Sequence, residues 1–505
     1  MAAPVDVATS DVIRAASRYP QSVNIATTPN TLSALDDAAP LLVVVDPMST
    51  GATLASAAIA RSMRVVCVWS DVCPDNLKSF VAEGTSVSYT GIVNHTGDLD
   101  ATIEAIRCLG TIGEVCVGSE PGVELADALA HALSLRGNDV SQSAMRRDKF
   151  AQSEAIRAKG LAAAHQALVS TLDGVDNFLL AHCDPFTKAV VKPVDGAASE
   201  GVTICDSADQ VRAAFLALQG TTNVFGRDNA KVLLMEFLGG DEYVVDTVSR
   251  DGEHKVVAIW KYMKRPCNGV ANCWFGQRLL PIDAEPHLPQ FEAYIYGVLD
   301  AIGITNGAVH SEVKFDGSTP SKAKRGPVLI ECNCRLHGIE GSWAPIVERC
   351  LGYSQVSALL DAYYEPTAFA ALPPHPATEA QATAFGAQIG VRSMVEGEVT
   401  RVNQARIEEI RSVASYVSEN VAWSGLQPGC RIAKTVDVVT LCGQISLVHA
   451  SQAQLEADMA RVQEVIDAGL FEVEVAPLAL LGWRRLAMGL AIGAAVVAVA
   501  AHVRA

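Results

Sequence analysis

The chain has 505 residues, half of them hydrophobic and 19% charged. That is a globular composition, long enough for two to four domains with separate cores. A net charge of −17 and a pI near 5.1 argue against a nucleic-acid-binding surface. Thirteen cysteines without paired spacing, and an N-terminus without a continuous apolar core, fit reduced thiols in a cytosolic compartment better than a secreted disulfide scaffold. Arg14 and Arg18 among Ser and Ala give only a weak transit-peptide pattern, opposed by Asp6 and Asp11.

Leu41–Val45 (LLVVV), a loop with Gly51, an Ala-rich helix and Val65–Trp69 (VVCVW) form a βαβ pattern. The loop DPMSTGA is neither a GxGxxG nor a Walker A sequence, so it reads as scaffold before it reads as an anion site. A helix over Thr102–Gly110, a strand at Glu114–Gly118 and a helix over Pro121–Leu135 complete an open, mostly parallel α/β domain over residues 1–140. Met145–Gly160 is helical, with Gly160 at its end. Arg146, Arg147 and Lys149 are either a solvated basic turn or, for Lys149, a phosphate contact.

Ala189–Cys205 (AVVKPVDGAASEGVTIC) places Lys192 on a strand and a small-residue loop before the next strand. Backbone N–H groups in such a loop can approach phosphates, with the lysine as a point charge. An ordinary turn would also account for it. In Lys231–Val248 a strand ends at Glu236, Gly239-Gly240 follow, and a second strand carries Glu242 and Asp246. Val256–Arg265 adds Lys261, Lys264 and Arg265. Pro266–Arg278 reads as a mobile loop with free thiols at Cys267 and Cys273, and Gln290–Ile302 as a helix.

Ala308–Gly338 is the most informative stretch. Two strand-like runs, AVHSEVKF and PVLIECNCRL, flank a polar loop. Alternation puts His310, Glu312 and Lys314 on one face of the first run. In the second it puts Leu329, Glu331, Asn333 and Arg335 on one face, and Ile330, Cys332, Cys334 and Leu336 on the other. Folding the hairpin about its middle brings Glu312 near Glu331. Like charges opposed on a sheet are unfavourable unless a cation lies between them. Two carboxylates and an amide oxygen suit Mg²⁺ held with nucleotide phosphates, and Arg335 could reach a phosphoryl oxygen. A solvated polar face is the alternative.

Trp343–Leu360 is helical, Leu372–Pro376 marks a boundary, and residues 383–475 form a smaller α+β unit. Its strands are AFGAQIGVRSMV and KTVDVVTLCGQISLVHA, and its helix is Gln452–Ala468. No catalytic constellation stands out there. Ala487–Ala501 is almost wholly apolar between Arg484-Arg485 and His502. It falls just short of the ~20 residues that span a bilayer, which fits a tail anchor facing the cytosol or an interfacial helix.

Taken in order, Lys149, VVKPVDGAASEGV, LLMEFLGGDEYVVD and ECNCRLHG resemble the ATP-grasp superfamily of carboxylate–amine ligases, close to the L-amino-acid ligase type. The resemblance covers roughly residues 1–475. It implies a multidomain α/β and α+β fold: a Rossmann-like pre-ATP-grasp domain over 1–140, and an ATP-grasp domain over 141–375 with a lid at about 188–262. A small α+β domain over 383–475 and an apolar tail over 478–505 follow.

The resemblance also implies roles. ATP would be held by Lys149, Lys192, the loop Asp195–Gly201 with Ser199 and Gly201, Glu236, Phe237 and Leu238 at the adenine, and Glu242 at the ribose. Glu312, Glu331 and Asn333 would ligate Mg²⁺, with Mn²⁺ as a substitute. Arg335 and Lys264 would be catalytic. The family's usual E-x-N-P-R carries Cys334 in place of proline here, on the apolar face, so packing changes and the chemistry survives.

The implied activity joins a carboxylate, from an amino acid, to an amine through an acyl phosphate, releasing ADP and phosphate. Small-molecule substrates and a homodimer accompany that reading. A bicarbonate-activating carboxylase would need a carrier or ribotide site, and no biotinyl-lysine motif is present. A non-catalytic, membrane-attached ATP-binding protein is disfavoured by the intact acid–Asn–Arg strand.

Overall fold

The computed structural model describes residues 39–474 apart from 76–77, 79–86, 184–187, 195–200, 224–226 and 422. The N-terminal stretch, the apolar tail over 478–505, and Ser199 with most of its loop lie outside the described residues. Among the described residues, no helix is long and apolar enough to cross a membrane.

The first unit is a parallel sheet in the order β3-β2-β1-β4. Its strands are β1 (Leu41–Val45), β2 (Arg64–Trp69), β3 (Gly91–Asn94) and β4 (Ile112–Val117). β1 and β2 are buried along their whole length, as continuous Val/Leu runs covered on both faces must be. The helix Thr50–Ala60 joins β1 to β2. After β4 a short 3-10 turn, Glu120–Gly122, leads into the helix Val123–Ala132.

The lid is a separate sheet in the order β5-β8-β6-β7. It comprises β5 (Gln166–Val169), β6 (Ala189–Pro193), β7 (Thr203–Cys205) and β8 (Val232–Glu236), backed by helices Leu172–His182 and Ala208–Leu218. The next strands, β9 (Asp241–Arg250) and β10 (Glu253–Cys267), were expected in the lid but pair in the large sheet instead. Gly240 makes that crossing possible. Its φ is +80°, and a Cβ there would lie 2.1 Å from the Phe315 carbonyl oxygen.

The large sheet runs β13-β12-β9-β10-β11-β14-β18-β16. Beyond β9 and β10 it holds β11 (Val270–Leu279), β12 (Gly307–Phe315), β13 (Val328–Asn333), β14 (Phe385–Val391), β16 (Tyr416–Val421) and β18 (Gly443–His449). The C-terminal residues therefore extend the central sheet, and only β15 (Gly397–Val402), β17 (Arg431–Ile432) and β19 (Phe471–Glu474) form a sheet of their own. Pro266–Arg278 is no mobile loop. Asn268 and Gly269, both with positive φ, turn β10 tightly into β11, the two-residue Asn-Gly hairpin geometry.

One face of the large sheet packs Tyr243 and Ile259 against Phe291 and Ile295 of the helix Pro289–Ala301. Each such side chain contributes roughly 1.5–3 kcal/mol. The other face packs Val244, Trp260 and Trp343 with the helices Ala344–Leu351 and Gln355–Tyr364, separated at left-handed Gly352. Where this second face runs out towards β12 and β13, it is polar and lies under the lid.

Candidate active site

β12 and β13 pair antiparallel, with Glu312 directly opposite Glu331 and His310 opposite Asn333. The hairpin's loop contains a short helix, Pro320–Arg325. Strict alternation fails in β13. Glu312 pairs with Glu331, but Val313 pairs with Leu329, so Ile330 is the extra residue of a bulge. Leu329, Cys332 and Cys334 therefore join the core under Pro289–Ala301, while Val328 and Ile330 turn to the lid. Leu336 packs in the core of the opposite face. Cys334 is buried where the family's proline would stand.

Both glutamates are held charged. Burial raises the Glu331 carboxyl, but Lys149 and Lys192 outweigh it and hold it well below the ordinary range. Lys149 Nζ lies 3.0 Å from Glu331 Oε2. Burial likewise raises Glu312, and a hydrogen bond from His310 with the charge of Lys264 brings it down. Asn333 Nδ2 donates to Glu331 Oε1 at 3.1 Å, and Arg335 Nη2 donates to Asn333 Oδ1 at 3.3 Å. Two opposed carboxylates and an amide oxygen, with cations held to their sides, are a hard-oxygen donor set that fits Mg²⁺ or Mn²⁺.

Lys192 is buried on β6, facing this pair from the lid. Burial draws its ammonium down to about 8, against the upward pull of Glu331. Lys264 Nζ donates to Glu242 Oε1 at 2.6 Å, and Lys314 Nζ is 3.5 Å from Glu242 Oε2. Lys261, three residues earlier, points to the other face, pairing with Asp241 at 2.7 Å and Glu285 at 2.8 Å.

At the hinge, Glu236 accepts from His165 N at 2.7 Å and from Arg325 Nη2 at 2.5 Å. Its carboxylate is thus engaged by protein groups. Phe237 and Leu238 join Val190, Ile204, Met235, Val328 and Ile330 in a small apolar cluster between lid and large sheet. That slot suits a flat base, with the backbone after Glu236 on its edge. Gly201 has φ +67° at the end of the Gly/Ala/Ser loop.

Three features escaped the sequence reading. Glu120, just beyond the carboxyl end of β4, places Oε2 3.2 Å from Arg335 Nε and Oε1 2.9 Å from Arg147 Nη1. An acid immediately after a parallel strand was the available signal. Arg146 and Arg147 are not a solvated turn, since Arg146 is fully buried on Asp127 at 2.6 Å.

The second feature is the contact between the β1 loop and the turn after Arg335. Thr50 Oγ1 donates to Gly338 O at 3.1 Å, Thr53 Oγ1 to Glu340 O at 3.2 Å, and Glu340 N to Ser49 Oγ at 2.9 Å. The loop DPMSTGA is therefore scaffold that anchors the turn following Arg335. Ile339 and Glu340 both have positive φ there, a local strain of the kind that collects at functional sites.

The third is the buried trio Asp246, His310 and His337, whose ligand atoms lie within 4.8 Å of one another. Asp246 already accepts from His310 Nδ1 at 3.0 Å, His337 Nδ1 at 2.8 Å and Trp260 Nε1 at 3.0 Å. His310 Nε2 lies 3.5 Å from Glu312 Oε1. Burial lowers His310, but Asp246 and Glu312 outweigh it and raise the ring to about 9. His310 bridges Asp246 and Glu312, so the trio supports Glu312 through hydrogen bonds, while His337, whose ring burial keeps neutral, turns its Nε2 lone pair towards Gln277 Nε2 at 3.4 Å.

Residues 186–339 match the profile of the ATP-grasp domain. Those residues form an ATP-grasp domain. It is 29% identical over 431 residues to dapdiamide A synthase of Enterobacter agglomerans, covering 84% of this chain and 95% of that one. Among solved structures, L-amino acid ligase from Bacillus licheniformis superposes with a TM-score of 0.64 at 17% identity, over 86% of this chain and 99% of that one. N5-carboxyaminoimidazole synthase from Aspergillus clavatus, in complex with ADP, gives 0.60 at 15% identity, over 86% of this chain and all of that one (100%). These two structures share the fold.

Proposed function

We propose that this ATP-grasp protein is an ATP-dependent carbon–nitrogen ligase that joins a carboxylate, from an amino acid, to an amine. The observation that carries this is the opposition of Glu312 and Glu331 across β12 and β13, with Lys149, Lys192 and Lys264 around them and Arg335 two residues beyond Asn333. Such a site neutralises and orients phosphates, and no protein nucleophile is needed. The similarity to dapdiamide A synthase along nearly its whole length supports amide formation over bicarbonate activation.

A carboxylate oxygen attacks the γ-phosphorus of ATP, and the β–γ bridging oxygen leaves with ADP. The amine then attacks the acyl-phosphate carbon, loses a proton, and expels inorganic phosphate. Lys149 and Lys192 hold the phosphates, and Glu242 stands ready for the ribose. Phe237 and Leu238 line the adenine site. Glu312, Glu331 and Asn333 would hold Mg²⁺, which supplies charge neutralisation at the β- and γ-phosphates. Arg335, fixed by Glu120, stabilises charge on the acyl phosphate and on the tetrahedral centre. Lys264 pairs with Glu242, and its charge helps keep Glu312 ionised. Lid closure excludes water that would hydrolyse the acyl phosphate.

The test is phosphate release from ATP and Mg²⁺ with pairs of amino acids, with the amide product identified by mass. Release should require both a carboxylate and an amine and vanish in Glu331→Gln. Release independent of both substrates would overturn the ligase reading.

A further inference from the structure

β13 is an end strand of the large sheet and pairs with β12 along one side. An end strand leaves a row of backbone N–H and C=O groups without a ladder partner. At Cys332, between Glu331 and Asn333, that open side is filled by one side chain. Gln152, on the helix Lys149–Ala158, is only 3% exposed. Its Oε1 accepts from Cys332 N at 3.0 Å, and its Nε2 donates to Cys332 O at 2.8 Å. The carboxamide thus makes the pair of bonds that a further strand would make.

The second amide hydrogen is used as well. Gln152 Nε2 donates to Arg146 O at 2.9 Å, in the turn Met145–Arg147. The position must accept from one N–H and donate to two carbonyls, which a carboxamide does. A glutamate lacks the donors, and a methionine lacks all three bonds. The same contacts close a ring. Arg147, next to Arg146, holds Glu120 at 2.9 Å, Glu120 holds Arg335 at 3.2 Å, and the chain leads back from Arg335 to Cys332. Lys149 precedes Gln152 by one helical turn on the same face, and its Nζ reaches Glu331 Oε2 at 3.0 Å.

We infer that Gln152 is a positioning residue for the metal site. It docks the helix of Lys149 on β13 and so aims Glu331 and Asn333, on either side of Cys332, at the cation. The inference rests on the ligase reading for the role of those two residues. Both side chains leave the backbone one residue from the anchor, so a shift at Cys332 moves both and alters the Lys149–Glu331 contact.

Electron paramagnetic resonance of Mn²⁺ on the full chain saturated with ADP tests this, because it reads the bound metal and not turnover. Gln152→Met keeps the length of the side chain and removes all three hydrogen bonds. It should weaken Mn²⁺ binding about tenfold. Ile156, one turn further along the same helix, is fully buried in the core and makes no such bonds. Ile156→Ala should lower the urea midpoint yet leave Mn²⁺ affinity within about twofold of the parent, and Ile156→Val takes its place if the alanine variant does not fold. Unchanged Mn²⁺ affinity in Gln152→Met overturns the inference. An equal loss in the Ile156 variant also overturns it, because any loosening of the helix would then suffice. A loss confined to Gln152→Met, with no amide formed from any substrate pair by the unaltered protein, overturns the ligase reading and leaves the inference standing. An unaltered protein that binds no Mn²⁺ with ADP overturns the metal site and the inference together.

Discussion

Arg335 Nε lies 3.2 Å from Glu120 Oε2, so the arginine on the large sheet is fixed by an acid from the edge of the first sheet. Arg147 holds the other oxygen of that acid. The position of the Arg335 guanidinium thus depends on how the two sheets dock, and if Arg335 acts on the acyl phosphate as proposed, so does catalysis. Glu120→Gln should lower kcat by about tenfold or more, because an aimed charge counts for more than a nearby one, and leave the KM for ATP little changed. Steady-state kinetics with ATP and the best carboxylate varied in turn would check this. A change confined to the KM for ATP would contradict it.

Lys192 carries a pH dependence. Burial draws its ammonium down to about 8, so in the free enzyme it is charged below that pH and neutral above it. If Lys192 holds the phosphates as proposed, ATP binds to the charged form. Affinity should therefore fall about tenfold between pH 7 and pH 9, as expected for a single group with a pKa near 8. Lys192→Met should bind weakly and without this dependence. A flat profile in the unaltered protein would show that Lys192 does not set phosphate affinity.

Asp127 and Arg146 form a buried pair at 2.6 Å between the helix Val123–Ala132 and the turn that enters the ATP-grasp region. Asp127→Asn strands a fully buried guanidinium. The cost should be about 3–5 kcal/mol, seen as a lower urea midpoint with an unchanged slope. A variant as stable as its parent would mean that water reaches Arg146.

Gly240 turns the chain from β8 of the lid into β9 of the large sheet. Gly240→Ala puts a Cβ at φ +80° against the Phe315 carbonyl. Stability should drop by more than ~1 kcal/mol, and the KM for ATP should rise because Phe237 and Leu238 move with the hinge. Thermal melts and ATP titration would read the two effects separately.

Much of the site was legible because its residues are local in sequence. Glu312, Glu331, Asn333 and Arg335 occupy one hairpin, and period-two alternation put the first two face to face. What alternation could not show was the bulge at Ile330, which sends Leu329 into the core. A bulge leaves no mark in composition. The Asn268-Gly269 turn was written plainly, but the flanking cysteines and glycines drew the reading to a loop. Glu120 and the Asp246–His310–His337 network depend on residues far apart in the chain, and no spacing rule joins them. For the same reason the C-terminal strands looked like a separate unit, although β14 and β18 extend the central sheet edge to edge.

The most direct test follows oxygen. A carboxylate substrate labelled with ¹⁸O on both oxygens is incubated with ATP, Mg²⁺ and an amine, and the released phosphate is weighed by mass spectrometry. If the carboxylate attacks the γ-phosphate and the amine then displaces it, each amide formed should deliver one ¹⁸O to inorganic phosphate, with ADP as the nucleotide product. Unlabelled phosphate, or AMP carrying the label, would contradict an acyl phosphate formed at Glu312, Glu331 and Arg335.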